Sequence, residues 1–251
     1  MGWILRTTTI LTALFVLVGC SASSSYENKE KSEASRGVGE AYLRQGNYSA
    51  AMAEFVKAEK LNPKDPYLKN DIGLVFLSRK RYDEAVSNFQ QAVTLKPDYA
   101  AARNNLGSAY LAQKNWDAAI ATFKDISDNM LYATPHYPLA NLGLAYYHKG
   151  QYDKAAEAYR KALDIQPGFH LAQRGLGRTY LSQGKVDQAI ESLEKATASA
   201  PQAAAYWMDL GNAYRAGNWV RKARRAFEKV IALDPEGPLA GAAEVALTQL
   251  P

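Results

Sequence analysis

A glycine recurs along this 251-residue chain at nearly constant intervals, and the residues at fixed distances from it restrict the fold more than any other feature. The glycines are Gly39, Gly73, Gly107, Gly143, Gly177 and Gly211, separated by 34, 34, 36, 34 and 34 residues. Three residues after each stands an aromatic: Tyr42, Phe76, Tyr110, Tyr146, Tyr180 and Tyr214. Twelve residues after each glycine stands an alanine, at Ala51, Ala85, Ala119, Ala155, Ala189 and Ala223. Four residues beyond the alanine comes a large apolar side chain, at Phe55, Phe89, Phe123, Tyr159, Leu193 and Phe227. A proline closes five of the six copies, at Pro63, Pro97, Pro167, Pro201 and Pro235. A unit this short cannot bury its own apolar faces, so each copy must be completed by its neighbours.

The cleanest copy, Leu142–Pro167, shows what one unit is. Leu142, Gly143 and Tyr146 share one helical stripe, and Ala155, Tyr159 and Ala162 share another, at the spacing of a buried helix face. Gly143 and Ala155 are small where two helix axes must approach, and the tyrosines fill the space beside them. The break at Lys149-Gly150 allows a left-handed residue to end the first helix, and Pro167 stops the second. The unit is a helix–turn–helix hairpin.

The pattern resembles the tetratricopeptide repeat, whose 34-residue unit carries a small residue, an aromatic, an alanine and a proline at these offsets. The resemblance implies an all-α superhelical solenoid of six helix–turn–helix repeats, at approximately 32–65, 66–99, 100–135, 136–169, 170–203 and 204–237. Residues 238–251 read as a final helix capping the sixth repeat. Lys80 and Lys114 stand where other repeats have the turn glycine, and a side chain held left-handed there costs roughly 1 kcal/mol. In the sixth repeat the turn reads Gly217-Asn218, displaced by one residue. The period slips by two residues at 128–138, where Pro135 and Pro138 disfavour a continuing helix.

The N-terminus carries a separate message. Arg6 precedes an uncharged run, Thr7–Val18, too short to span a bilayer comfortably. It ends in Leu17-Val18-Gly19-Cys20, which resembles a bacterial lipobox. The resemblance implies a signal peptide at 1–19 and lipidation of Cys20, the only cysteine, giving an acylated N-terminus that holds a membrane stably. Residues 20–31 then read as a lipidated, flexible, serine-rich tether. Ser21 after the cysteine, in place of an aspartate, leans toward the outer membrane, facing the periplasm.

Nothing in the sequence assembles chemistry. His136, His148 and His170 lack metal-ligand spacing, and no nucleophile elbow or phosphate loop is present. Gly37-Val38-Gly39 and Gly175-Leu176-Gly177 are GxG triplets, but with no strand before them they read as helix-packing positions. The net charge of +5 is modest and gives no dense nucleic-acid-binding face. A non-enzymatic, monomeric binding protein without cofactor or metal is expected.

In the repeats this chain resembles, first helices line a concave groove. Carried onto this sequence, the groove holds Tyr67, Leu74, Leu77, Asn104, Asn105, Leu111, Tyr137, Asn141, Leu144, Tyr147, Leu171, Arg174, Arg178 and Leu181. An apolar stripe edged with amides suits an extended or helical peptide, and Asn105 and Asn141 can satisfy donors and acceptors of a main chain. Several of these leucines can equally be core. A second patch is basic: Arg215, Arg221, Lys222, Arg224, Arg225 and Lys229, suited to acidic head groups or an acidic partner, or simply a solvated helix face.

A lipidated chain of six such repeats resembles the pilotin lipoproteins of type IV pili, the PilF, PilW and Tgl group. Leu131-Tyr132 and Asn141-Leu142-Gly143 fall where that group has an LYP-like turn and an NLG opening, although Ala133 replaces the proline. The resemblance implies an outer-membrane lipoprotein that binds secretin subunits and promotes their multimerisation. An envelope scaffold for peptidoglycan enzymes and a regulatory subunit of an enzyme remain open alternatives.

Overall fold

The computed structural model describes residues 26–127 and 134–251. The signal segment, Cys20 and Leu131-Tyr132-Ala133 lie outside the described residues. Every element within them is an α-helix. The first, α1, runs over 26–44. It is followed by α2 (Tyr48–Leu61), α3 (Pro66–Ser78), α4 (Tyr82–Leu95), α5 (Ala100–Ala112) and α6 (Trp116–Ser127). After the break come α7 (His136–His148), α8 (Tyr152–Ile165), α9 (His170–Ser182), α10 (Val186–Ser199), α11 (Ala204–Ala216), α12 (Val220–Leu233) and α13 (Pro238–Thr248). Two compact units result, one ending at Gln113 with α1–α5 and one starting at Lys114 with α6–α13.

The repeating contact inside a hairpin is a ring laid on a glycine. A Cβ at Gly73 would fall 2.6 Å from the Phe89 ring, and one at Gly211 would fall 2.5 Å from Phe227. Phe55, Phe89, Phe123 and Phe227 are fully buried, as are the alanines beside them at Ala51, Ala85, Ala119 and Ala223. Burying one such phenylalanine contributes about 1.5–3 kcal/mol, so each hairpin brings its own portion of core. In the last hairpin Phe227 and Val230 also meet Ala243 and Ala246 of α13, which packs against α12.

The turns share one closing geometry. Gln151 N–H donates to the Tyr146 carbonyl at 2.9 Å, and Arg81, Lys185 and Trp219 make the equivalent bond to Phe76, Tyr180 and Tyr214. This six-to-one bond requires a left-handed residue just before its donor. Gly150 and Gly184 occupy that position with φ of +73°. Lys80 occupies it too, at φ 59°, and Lys114 is likewise left-handed at φ 60°, so both carry the strain that glycine avoids. In the sixth hairpin Asn218 is the left-handed residue, at φ 61°, while Gly217 has an ordinary φ of −87°.

Two expectations need correction. Residues 26–31 are not a flexible tether but the first turns of α1. The serine-rich stretch stops at Ser25; beyond it, Lys31 pairs with Glu27 at 2.6 Å and Lys29 with Glu33 at 3.9 Å. Ser32 then anchors the helix, its buried hydroxyl donating to the Ala58 carbonyl at 2.9 Å. Packing also does not explain both glycines of the first GxG triplet. Gly39 lies under Phe55, but a Cβ at Gly37 would meet nothing within 4 Å.

Candidate peptide-binding faces

The first helices of successive hairpins are tied by a repeated polar pin. It joins the residue three before the packing glycine to the residue two before the next one. In the N-terminal unit, Arg36 faces Asp71 at 3.7 Å, and Asn105 Nδ2 donates to Asn70 Oδ1 at 2.9 Å. In the C-terminal unit, Arg174 Nε donates to Asp209 Oδ2 at 2.5 Å. Between α7 and α9 those two places are Ala140 and Gly175, and no pin forms. The ring of Tyr159, 3% exposed, fills the gap from beneath; a Cβ at Gly175 would sit 2.7 Å from its hydroxyl oxygen.

That interruption opens a small groove of about 140 Å³ on the C-terminal unit, floored by Ala140, Tyr159 and Gly175. Tyr137, Asn141, Leu144, Leu171, Arg174 and Arg178 line it, so six residues of the sequence-derived set converge. Tyr137 and Leu171 are each 47% exposed, which leaves large apolar surface open at the rim. Tyr137 is braced edge-on by Phe169, with ring centroids 5.0 Å apart. Asn141 makes no hydrogen bond among the described residues. The Arg178 guanidinium lies 5.0 Å over the Tyr147 ring, so Tyr147 supports the groove through that arginine. Leu181 packs against the core around Ile190.

The corresponding face of the N-terminal unit is more fully engaged with itself. Leu74 and Leu77 pack on the Phe89 and Leu106 core. Asn105 is occupied by Asn70, whereas the buried Asn104 Oδ1 has no partner among the described residues. Leu111 is half-buried. Tyr67, 38% exposed, meets Tyr99 edge-on at 5.0 Å and accepts a bond from Lys96 Nζ at 2.5 Å. Beneath it, Arg36 sits among Glu40 at 3.3 Å, Asp65 at 3.6 Å and Asp71. Burial, then the neighbouring Glu40 carboxylate, raises the Asp71 pKa from 3.8 to about 7 in spite of Arg36.

The histidines serve packing. His148 stacks on Trp116 at 4.7 Å, His136 lies edge-on to Phe169 at 5.0 Å, and His170 Nδ1 is 2.8 Å from the Tyr206 hydroxyl. Among the described residues no three His, Cys, Asp or Glu side chains converge as metal ligands. None of the described helices is long and apolar enough to cross a membrane. In the basic patch, Arg215 donates to Gln249 at 3.1 Å and to Asn212 at 3.0 Å, and Lys222 lies 4.3 Å over Trp219. Arg221, Arg224, Arg225 and Lys229 are exposed.

Models of the tetratricopeptide repeat match residues 23–66, 76–130, 146–211 and 204–236. The chain belongs to the tetratricopeptide-repeat family. No catalytic family is among the matching models, and the fold is one that generally serves protein interaction. Comparison with curated protein sequences gives no significant match. Among solved structures, the chain is similar to PilW, a widely conserved type IV pilus biogenesis factor. The identity is 23% and the TM-score 0.78, over 85% of this chain and 98% of that one. It is similar to Pseudomonas aeruginosa PilF at 18% identity and TM-score 0.74, over 87% of this chain and 99% of that one. The Cut9–Hcn1 anaphase-promoting-complex structure matches at 19% identity and TM-score 0.74, over 88% of this chain and 43% of that one. These likenesses show a tetratricopeptide fold of closely similar extent to PilW and PilF.

Sequence reasoning missed the groove floor and the Arg36–Asp71 network. The signal for the first was present: only the fourth repeat has a tyrosine where four others have phenylalanine and one leucine. Gly175 likewise interrupts a column that otherwise reads Asp71, Asn105, Asn141 and Asp209 after the first repeat.

Proposed function

We propose that this protein is an outer-membrane-anchored assembly factor, a pilotin, that binds secretin subunits and promotes their multimerisation and localisation during type IV pilus biogenesis. The observation that carries the reading is the likeness in fold to PilW over 98% of that chain. The lipobox resemblance at Leu17–Cys20 supports it independently, because a pilotin acts from a lipid anchor. The mechanism is non-covalent. A segment of the secretin lies in the C-terminal groove, with apolar side chains against Tyr137, Leu144 and Leu171 and a main-chain amide on Asn141. Acyl chains on Cys20 hold the complex at the inner leaflet of the outer membrane.

Deleting the gene and running the secretin on gels without boiling tests this reading. Loss of heat-resistant multimers is expected; normal multimer levels in the outer membrane overturn it. Fractionation of Cys20→Ala after a high-salt wash, which strips electrostatically bound protein, tests the anchor separately, since a variant that stays firmly membrane-bound counts against lipidation as the anchor.

A further inference from the structure

Helix α12 breaks a rule that the four hairpins before it keep, although α2 of the first hairpin has Ser49 at that place. The second position of α4, α6, α8 and α10 is an aspartate, at Asp83, Asp117, Asp153 and Asp187. A carboxylate there complements the positive end of the helix. Three of these aspartates also reach the turn of the next hairpin: Asp83 accepts from Gln113 at 2.6 Å, Asp153 accepts from Gln183 at 2.8 Å, and Asp117 pairs with Lys149. In α12 the same position is Arg221, and Lys222, Arg224 and Arg225 follow in the first two turns. No acidic residue occupies that first turn. Stacking cations on the positive end of a helix costs stability.

The charge is also concentrated. The whole chain carries a formal +5, and α12 alone holds five Lys or Arg residues against Glu228 as its one acid. Lys222 is engaged with Trp219 and, at 3.5 Å, with Glu194. Arg221, Arg224, Arg225 and Lys229 are exposed and make no hydrogen bond or ion pair among the described residues. They follow three-to-four-residue spacing along the side of α12 opposite Ala223, Ala226, Phe227 and Val230, which are buried.

We propose that this face of α12 is a docking surface for an anionic membrane, binding phosphate head groups through Arg221, Arg224, Arg225 and Lys229. The chemistry of the face favours a lipid surface over an acidic protein. A protein interface needs an apolar core with desolvated anchors, and no large apolar side chain of α12 is prominently exposed. No residue of α12 lines the groove on this unit. A row of unpaired guanidiniums on one exposed helix face needs only a delocalised negative surface, and each such residue near it contributes measurably. Trp219, 43% exposed at the helix start, supplies an amphipathic ring of the kind found at head-group level.

Binding of the full chain to vesicles of phosphatidylcholine, with and without one third phosphatidylglycerol, tests this. Wild type is compared with Arg221→Gln/Arg224→Gln/Arg225→Gln. Both chains have the same N-terminus, so any insertion or acylation there contributes equally. We expect wild type to prefer anionic vesicles, to lose the preference as salt rises, and to exceed the variant by about a hundredfold in partitioning to them. On zwitterionic vesicles the two should not differ. Thermal melts supply a control, because the variant relieves the helix-end repulsion and must melt at or above wild type. A well-folded variant that partitions to anionic vesicles as strongly as wild type overturns the proposal. So does wild type binding polyglutamate while showing no preference for anionic vesicles, which assigns the face to an acidic polypeptide.

Discussion

Two glycines at the same register of their repeats should respond oppositely to the same methyl group. Gly37 and Gly175 both lie inside helices and both stand two residues before a packing glycine. Replacing an interior helical glycine by alanine is worth about 1 kcal/mol at either site from backbone propensity alone. At Gly37 nothing lies within 4 Å of the new Cβ, so that gain is kept in full. At Gly175 the methyl meets the Tyr159 ring, with its hydroxyl oxygen 2.7 Å away. The ring has little room to retreat, because it is 3% exposed and also lies against Gly143, where a Cβ would be 2.9 Å from it. Overpacking of this kind costs about 1–3 kcal/mol. Gly37→Ala should therefore stabilise by about 1 kcal/mol, and Gly175→Ala should range from neutral to roughly 2 kcal/mol destabilising. Since 1 kcal/mol moves the midpoint of a chain this size by about 2–4 °C, thermal melts should separate the variants by several degrees. Adding Tyr159→Leu, the type of residue found at Leu193, should relieve the clash, so a double-mutant cycle should show coupling between 159 and 175. If Gly175→Ala stabilises as much as Gly37→Ala, the rigid groove floor described here is wrong.

Other outcomes follow from the turns, the core and the buried charges. Lys80→Gly and Lys114→Gly should each raise stability by about 1 kcal/mol in thermal melts, whereas Asn218→Gly should gain less, because asparagine tolerates the left-handed region. Phe227→Ala should cost about 3–5 kcal/mol in urea titrations and should loosen α13 in hydrogen exchange, since both share its core. The Asp71 pKa is raised on folding, so the native state binds the extra proton. Its contribution is fully present below pH 3.8 and is lost as pH rises toward and through about 7. Asp71→Asn should thus leave stability near pH 4 little changed and raise it at pH 8, flattening the decline of the wild type between those values. In a pull-down with the secretin proposed as partner, Tyr137→Ala/Leu171→Ala should bind at least tenfold more weakly with an unchanged melting point, because both side chains are about half exposed.

The period alone carried the hairpins. Gly150 and Gly184 mark left-handed turns whose Schellman-type bond is local and so legible in sequence, whereas the apparent displacement of the turn glycine to Gly217 was misleading, because Asn218 takes the left-handed place. The glycine-to-ring offset announced the core of each hairpin for the same reason: both partners lie within one repeat. The groove was legible only in outline. Tyr137, Asn141, Leu144, Leu171, Arg174 and Arg178 do converge, because register places them on one helix face. Whether a residue on that face is available, however, depends on a neighbour a whole repeat away. Asn105 is held by Asn70, and Leu181 is partly buried against the core cluster of the last hairpins. The open floor at Ala140 and Gly175 exists because one polar pin is missing and one phenylalanine is a tyrosine. Helical periodicity decides which face a side chain shares; only packing between repeats decides what it touches there.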